Sequence, residues 1–185
     1  MRTRLLAALL TGAVVLTACG SAEDEPITDA QRQWVDAFCG GVLPGMEAGL
    51  ELRKQDPANV AAVKDGYVKL VSSNTAAFTA AEKKLKELGA PDDDLKDVHE
   101  RLVEFVTESA KSYGDAQAPV QALEPNAEFL EGAEKVLADT NVVTSPEDLR
   151  ATFQELQKRP KYAAAIGKSA PCSEIRSKGQ ELGQQ

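Results

Sequence analysis

One long run of helical apolar spacing constrains the fold of this chain more than any other feature. It opens at Asp56-Pro57, a capping side chain followed by a proline suited to a first helical turn, and it reaches Leu88, before Gly89. The run predicts a helix of about 30 residues and roughly 45 Å. Its apolar side chains recur every three or four residues and form one face: Val60, Val63, Tyr67, Leu70, Val71, Phe78, Ala81, Leu85 and Leu88. Such a face must be buried against other helices.

Asn74 lies in the middle of this apolar face. A polar residue in such a place more often fixes the register of two packed helices through a hydrogen bond than it binds a ligand. We therefore expect Asn74 to bond a partner.

A shorter helix is predicted upstream, capped by Thr28 or Asp29, with Trp34 and Phe38 in its apolar face. The segment Gly40–Gly45 interrupts this pattern, because Pro44 removes a hydrogen bond and pushes its ring toward the carbonyl of residue 40. The sequence predicts a kink or a break here. Such a bend either wraps the helix around the core or opens a ligand groove near Trp34, Phe38 and Pro44.

The rest of the chain also predicts helices. A third begins at Pro91–Asp94, where three acids suit the positive end of the helix dipole, and Pro119 and Pro125 end it in stages. Shorter helices follow Asn126 and Ser145-Pro146, Pro160 breaks the second of these, and a last short segment runs through Ile175 to a polar, frayed tail. No stretch alternates as a half-buried strand does. The fold class expected is all-α, an antiparallel bundle of about four main helices plus short C-terminal helices, over residues 28–185.

Residues 1–20 have the layout of a signal peptide. Arg2 and Arg4 precede an apolar run over residues 5–15, which is too short to span a bilayer as a mature helix. The run ends in Leu16-Thr17-Ala18-Cys19, which resembles the lipobox of bacterial lipoproteins. The resemblance implies lipid transfer to Cys19, removal of residues 1–18, and a tether over residues 19–27 that holds the domain at the extracytoplasmic face of the cell membrane. An ordinary secretory signal with a chance cysteine is the alternative.

The body is also similar in composition to small helical lipoproteins of unassigned function from high-GC Gram-positive bacteria. Removing residues 1–18 leaves 167 residues, enough for one domain with a core, and 19 basic against 29 acidic side chains, a formal charge of −10. A surface this acidic repels nucleic acid, so nucleic acid is excluded as a partner.

With Cys19 lipidated, Cys39 and Cys172 are the two cysteines left in an oxidising space, where pairing is the default. A disulfide between them would close the bundle. The competing interpretation is a metal or redox pair, which is poorly supported because the two are far apart in sequence and no Cys-x-x-Cys occurs.

Chemistry is sparse in this sequence. His99 is the single histidine, and Lys96 stands where a Glu-x-x-His metal motif requires Glu. We expect His99 to lie at the boundary of the core, with a catalytic base or a pH sensor as alternatives. Asp92, Asp93 and Asp94 lack the ligand spacing of a calcium loop. Glu100, Glu104 and Glu108 indicate a solvated helix face. No cofactor, metal or enzymatic activity is expected.

Two functions remain from different classes. The first is a non-catalytic binding or adaptor module, presented to an envelope protein by a lipid anchor. The second is a carrier of a lipid or other apolar small molecule between the helices, with Trp34, Phe38 and Pro44 at its site. A simple spacer or surface antigen is a third option.

Overall fold

The computed structural model describes residues 26–142 and 146–183. All regular secondary structure in those ranges is helical, which confirms the predicted fold class. Seven α-helices and one 3-10 turn follow in order: α1 (Asp29–Arg53), α2 (Val60–Leu88), the 3-10 turn (Asp93–Leu95), α3 (Lys96–Ala122), α4 (Phe129–Asp139), α5 (Pro146–Gln157), α6 (Pro160–Lys168) and α7 (Ala170–Gly183). Cys19 and the signal segment lie outside the described residues.

Helix α1 begins at a reciprocal cap. The hydroxyl of Thr28 accepts the backbone N–H of Gln31 at 3.1 Å, and Gln31 Oε1 accepts the backbone N–H of Thr28 at 3.0 Å. This capping box satisfies two of the N–H groups that a helix start leaves without partners. The predicted start at Thr28 is confirmed.

Of the kink or break predicted in α1 at Gly40–Gly45, the break is wrong, because the helix continues through Pro44 to Arg53. A tertiary contact favours the continuous helix. Gly41 and Gly45 face α2 so closely that a Cβ on Gly41 would lie 2.6 Å from Ala81 Cβ, and one on Gly45 would overlap the amide of Asn74. Close packing against α2 therefore holds α1 in one piece.

Helix α2 begins later than predicted and ends where predicted. Its N-cap is Asn59, whose side chain accepts the backbone N–H of Ala62, whereas Asp56 instead accepts the N–H of Ala58 in the preceding turn. The helix ends at Leu88, and Gly89 follows with φ +67°, a conformation that favours glycine.

Asn74 is buried at the α1–α2 contact but makes a different bond from the one expected. Its Nδ2 donates to the carbonyl of Leu70 in its own helix at 2.8 Å. The predicted hydrogen bond to a partner helix is therefore wrong. Asn74 contacts α1 by shape, since its amide fills the space that Gly45 leaves open.

The later helices differ from the predictions mainly at their ends. Helix α3 continues past Pro119 to Ala122, since a proline this near the end removes a hydrogen bond without stopping the helix. Pro160 separates α5 from α6, as predicted, and stands at the first position of α6. Helix α7 reaches Gly183, where a frayed tail was expected, and Lys178 pairs with Glu47 of α1 at 3.2 Å. Ser145 lies outside the described residues.

Helices α1, α2 and α3 form the centre of the bundle, with α6 and α7 packed on α1 and α4 packed on α3. The largest buried cluster includes Trp34, Phe38, Phe78, Leu85 and Leu102. Cys39 and Cys172 form a disulfide within this cluster, with their Cα atoms 5.2 Å apart, and so join α7 to α1. The predicted closure of the bundle by one disulfide is confirmed.

Candidate functional site

The residues proposed from the sequence as a ligand site do not line an open surface together. Trp34 and Phe38 are 0% and 1% exposed in the core, and Pro44 is half-buried on α1. Trp34 and Phe38 already contact other aromatic side chains of the protein: Tyr162 and His99 for Trp34, and Phe153 for Phe38. A ligand role for these three residues stays a prediction.

Trp34 makes a polar contact across the bundle. Its indole Nε1–H donates to Nδ1 of His99 at 3.0 Å, and the ring of Tyr162 meets the indole edge-on at a centroid distance of 6.0 Å. His99 is half-buried on α3, so the predicted boundary position is confirmed. Because Nδ1 accepts a hydrogen bond, the imidazole is neutral here and carries its proton on Nε2. Burial lowers the pKa of His99, and the nearby charge of Glu100 opposes that shift.

Asp92 connects three parts of the chain next to this contact. Its Oδ2 accepts Nε2–H of Gln31 at 2.8 Å and the hydroxyl of Tyr162. Burial raises the pKa of the Tyr162 hydroxyl, and the hydrogen bond to Asp92 raises it further. Gln31 is 1% exposed, so its amide depends on its hydrogen bonds to Asp92 and to the backbone of Thr28. The cluster ties the start of α1 to the residues before α3 and to α6.

The sequence did not indicate this cluster. Asp92 was assigned to a helix start, and Gln31 and Tyr162 lie 61 and 70 positions away from it. The one local signal was Gln31 at the third position after the cap, which predicts the capping box but not the second bond of its side chain. Every polar atom of the Asp92 cluster named above has a protein partner, which favours a structural role.

An open groove of about 1120 Å³ runs along the outer side of α3. One wall is α3 from Arg101 to Asp115. The opposite wall is formed by the end of α4 and the turn after it, and by three α5 residues, Ala151, Thr152 and Glu155. Leu102 and Ser109 are the buried lining residues, and the half-buried side chains of Phe105, Tyr113 and Val142 add apolar surface.

Charges form the rim of this groove, and most of them are paired. Arg101 donates to Glu155 of α5 at 2.7 Å and so bridges the two walls, while Lys111 pairs with Asp115 one turn further along α3. Glu104 and Glu108 also line the groove, one helical turn apart, and have no ion-pair partner within residues 26–142 and 146–183. They were predicted to be part of a solvated face with Glu100. All three side chains are exposed, which confirms that prediction; Glu104 and Glu108 also line the groove, whereas Glu100 lies outside it.

No protein-family model, curated protein or solved structure matches this chain.

The described residues contain no group of three or more His, Cys, Asp or Glu side chains placed to hold a metal ion. None of the helices in the described ranges is long and apolar enough to cross a membrane. The groove on α3 is therefore the arrangement in this part of the chain with the clearest capacity to bind: it is open, it combines apolar depth with a charged rim, and it presents two carboxylates without partners.

Proposed function

We propose that this chain is a lipid-anchored lipoprotein of the extracytoplasmic face of the cell membrane, and that its helical body is a non-catalytic binding or adaptor module. The observation that carries the second part is the groove of about 1120 Å³ beside a packed, disulfide-linked core. A groove of this volume is slightly larger than typical small-ligand sites of about 300–1,000 Å³, and it is accessible to a protein segment as well. The anchor part rests on the lipobox resemblance at Leu16–Cys19.

The proposed anchor sets where the groove would stand relative to the membrane. Thr28 is nine positions after Cys19, so a fully extended tether spans at most about 30–32 Å. The start of α1 lies beside Asp92, just before α3, as the Gln31–Asp92 bond shows. The groove begins at Arg101 and follows α3 away from that end. A partner close to the membrane would therefore have access to it.

The anchor is tested by substitution of the lipidated residue. The Cys19→Ala variant should lose incorporation of an alkynyl fatty acid supplied to growing cells and should leave the membrane fraction, because no other residue would take the lipid. Ser21→Ala is the matched control and should behave as the parent chain. Membrane retention of Cys19→Ala, or a parent chain without label, would contradict the anchor.

The adaptor role is tested by crosslinking in the envelope of the host. The anchored protein should recover the same partner in repeated preparations, and a variant with a disrupted groove should recover less of it. Recovery of no reproducible partner would count against the adaptor role.

The groove also supports the second candidate, a carrier of an apolar ligand, since Leu102, Phe105 and Tyr113 line its depth. Native mass spectrometry of protein purified from its own host distinguishes the two candidates. An added mass that survives gentle ionisation supports the carrier. A bare protein supports the adaptor.

A further inference from the structure

We propose that the groove on α3 binds a basic, extended segment of a partner protein, about six residues long, in which cationic and apolar side chains alternate. This inference deepens the proposed adaptor role and rests on it. Three independent features of the described residues support it: the charge of the rim, a hydroxyl in the groove that makes no hydrogen bond, and the length of the groove.

The charge of the rim favours a cationic ligand. Five acidic and two basic side chains line the groove: Glu104, Glu108, Asp115, Asp139 and Glu155, against Arg101 and Lys111. Both basic residues are already paired, and Asp139 is paired with Lys135 at 2.7 Å. Glu104 and Glu108 are left, and like charges four residues apart on a helix repel each other. A guanidinium or ammonium group placed between them would relieve that repulsion and complement the rim.

Ser109 is the second feature. It lines the groove beside Glu108, and its hydroxyl makes no hydrogen bond to residues 26–142 or 146–183. The residue is only 4% exposed, yet its hydroxyl oxygen is not one of the buried polar atoms that lack a partner in those ranges, so it can be reached from the groove. An N–H or C=O group of a bound peptide backbone would supply the missing partner.

The length of the groove is the third feature. Its α3 wall runs from Arg101 to Asp115, fourteen residues apart, which is about 21 Å along a helix axis. An extended segment covers that distance in about six residues. Successive side chains of such a segment point to opposite sides, so one set would face the carboxylates of the rim while the other packs on Leu102, Phe105 and Tyr113.

The test is direct binding of a defined peptide to the full chain, purified in a non-ionic detergent. The probe is a fluorescein-labelled hexapeptide of alternating arginine and leucine, and its control is the same peptide with glutamate in place of arginine. Fluorescence anisotropy should show saturable binding of the arginine peptide alone. The double variant E104Q/E108Q should weaken binding about tenfold or more, and Ser109→Ala about threefold.

Glu100→Gln is the matched control, because Glu100 is an exposed acid one turn before Glu104 on the same helix but outside the groove. It should change the affinity by less than about twofold, as expected for a screened charge at a distance. Far-UV circular dichroism of each variant should equal that of the parent chain, since these side chains are on the groove surface or carry little packing.

Three results would overturn the inference. The first is that the arginine peptide does not bind. The second is that Glu100→Gln weakens binding as much as E104Q/E108Q, which would show attraction by net charge alone. The third is that spermine binds as tightly as the peptide, which would show a small-cation site. These results leave the adaptor role to its own test, since a crosslinked partner at another face supports the adaptor and not the groove. Conversely, a result that contradicts the lipid anchor at Cys19 would leave the peptide-binding test unaffected.

Discussion

Two polar contacts hold the aromatic side chains at one end of the bundle. Trp34 donates to His99 across α1 and α3, and Tyr162 donates to Asp92 from α6. Each bond fixes a large ring that is otherwise positioned by packing alone. Because the groups are largely buried, loss of one partner leaves the other without water as a ready substitute. Single substitutions here should therefore have measurable effects.

The first prediction concerns pH. The pKa of His99 is lowered from 6.5 by burial, so the unfolded chain binds its proton more tightly than the folded protein does. The contribution of His99 to stability is thus complete above about pH 6.5 and is lost as the pH falls below that value. Protonation also removes the lone pair that accepts Trp34 Nε1–H. Urea unfolding at about pH 7.5 and about pH 5.5 should show a larger fall in the free energy of unfolding for the parent chain than for His99→Gln.

The comparison with His99→Gln removes the contribution of the acidic groups, which both proteins share. Trp34 is the single tryptophan, so its fluorescence follows the same event in the folded state. A fluorescence titration midpoint above 6.5, or equal pH dependence of the two proteins, would contradict the assigned shift.

The second prediction compares two tyrosines under the same substitution. Tyr162→Phe removes the donor to Asp92 and should lower the free energy of unfolding by about 1.5–3 kcal/mol, the range for a hydrogen bond to a charged group. The hydroxyl of Tyr113 has no hydrogen-bond partner in the described ranges, so Tyr113→Phe should change stability by less than about 0.5 kcal/mol. Chemical denaturation measures both. Equal losses would indicate that the Asp92 bond adds nothing.

At the scale of the elements, the contact between α1 and α2 depends on small residues. Gly41 faces Ala81, Gly45 faces Asn74, and a Cβ on Gly66 would lie 2.7 Å from Leu52 Cδ1. These three positions let the two helix backbones approach closely, as small residues do in tightly packed helix pairs. The glycines that suggested a break in α1 therefore act as contact positions.

The third prediction uses two neighbouring glycines in α1. Gly41→Ala places a methyl group against Ala81 Cβ, which has no rotamer to move, and should destabilise the protein by about 1–3 kcal/mol. Gly40→Ala meets nothing within 4 Å and should stabilise it by about 0.5–1 kcal/mol, because alanine favours a helix interior. The two urea midpoints should move in opposite directions. A stabilising Gly41→Ala would show that the helices separate at no cost.

At the scale of the whole molecule, the disulfide links the two ends of the helical body. Cys39 lies in α1 and Cys172 in α7, 133 positions apart in the sequence, and α7 also packs directly on α1. A crosslink over so long a segment reduces the entropy of the unfolded chain strongly. The C-terminal helices are thereby held on the bundle, next to α1.

The fourth prediction follows from that loop. Reduction of the disulfide, or the variant C39S/C172S, should lower the free energy of unfolding by about 4–5 kcal/mol if the chain-entropy contribution is expressed in full. The helices should stay folded in the absence of denaturant, because the other apolar contacts among α1, α2 and α3 remain when the bond is removed. Urea unfolding with and without a thiol reductant checks this. An unchanged midpoint would contradict a stabilising role.

The sequence determined by itself the features that depend on neighbours within a few residues. The helical class, the cap at Thr28 and the end of α2 before Gly89 follow from hydrogen bonds and spacing within single turns. The pairing of Cys39 with Cys172 was predicted too, because the lipobox resemblance assigns Cys19 to a lipid and the two remaining cysteines allow one connectivity. Helix starts were less accurate: Asp56-Pro57 and Asn59 are both good caps, and sequence alone did not choose between them.

Only the tertiary structure decided the features that join distant residues. Packing of Gly41 and Gly45 against α2 keeps α1 continuous through Pro44, and the fold brings Gln31 and Tyr162 to Asp92. The groove depends on the distance between α3 and α5, which no local pattern encodes. The sequence predicts only that Glu104 and Glu108 lie on a solvated helix face. They become the rim of a groove because a second wall, distant in sequence, stands opposite them.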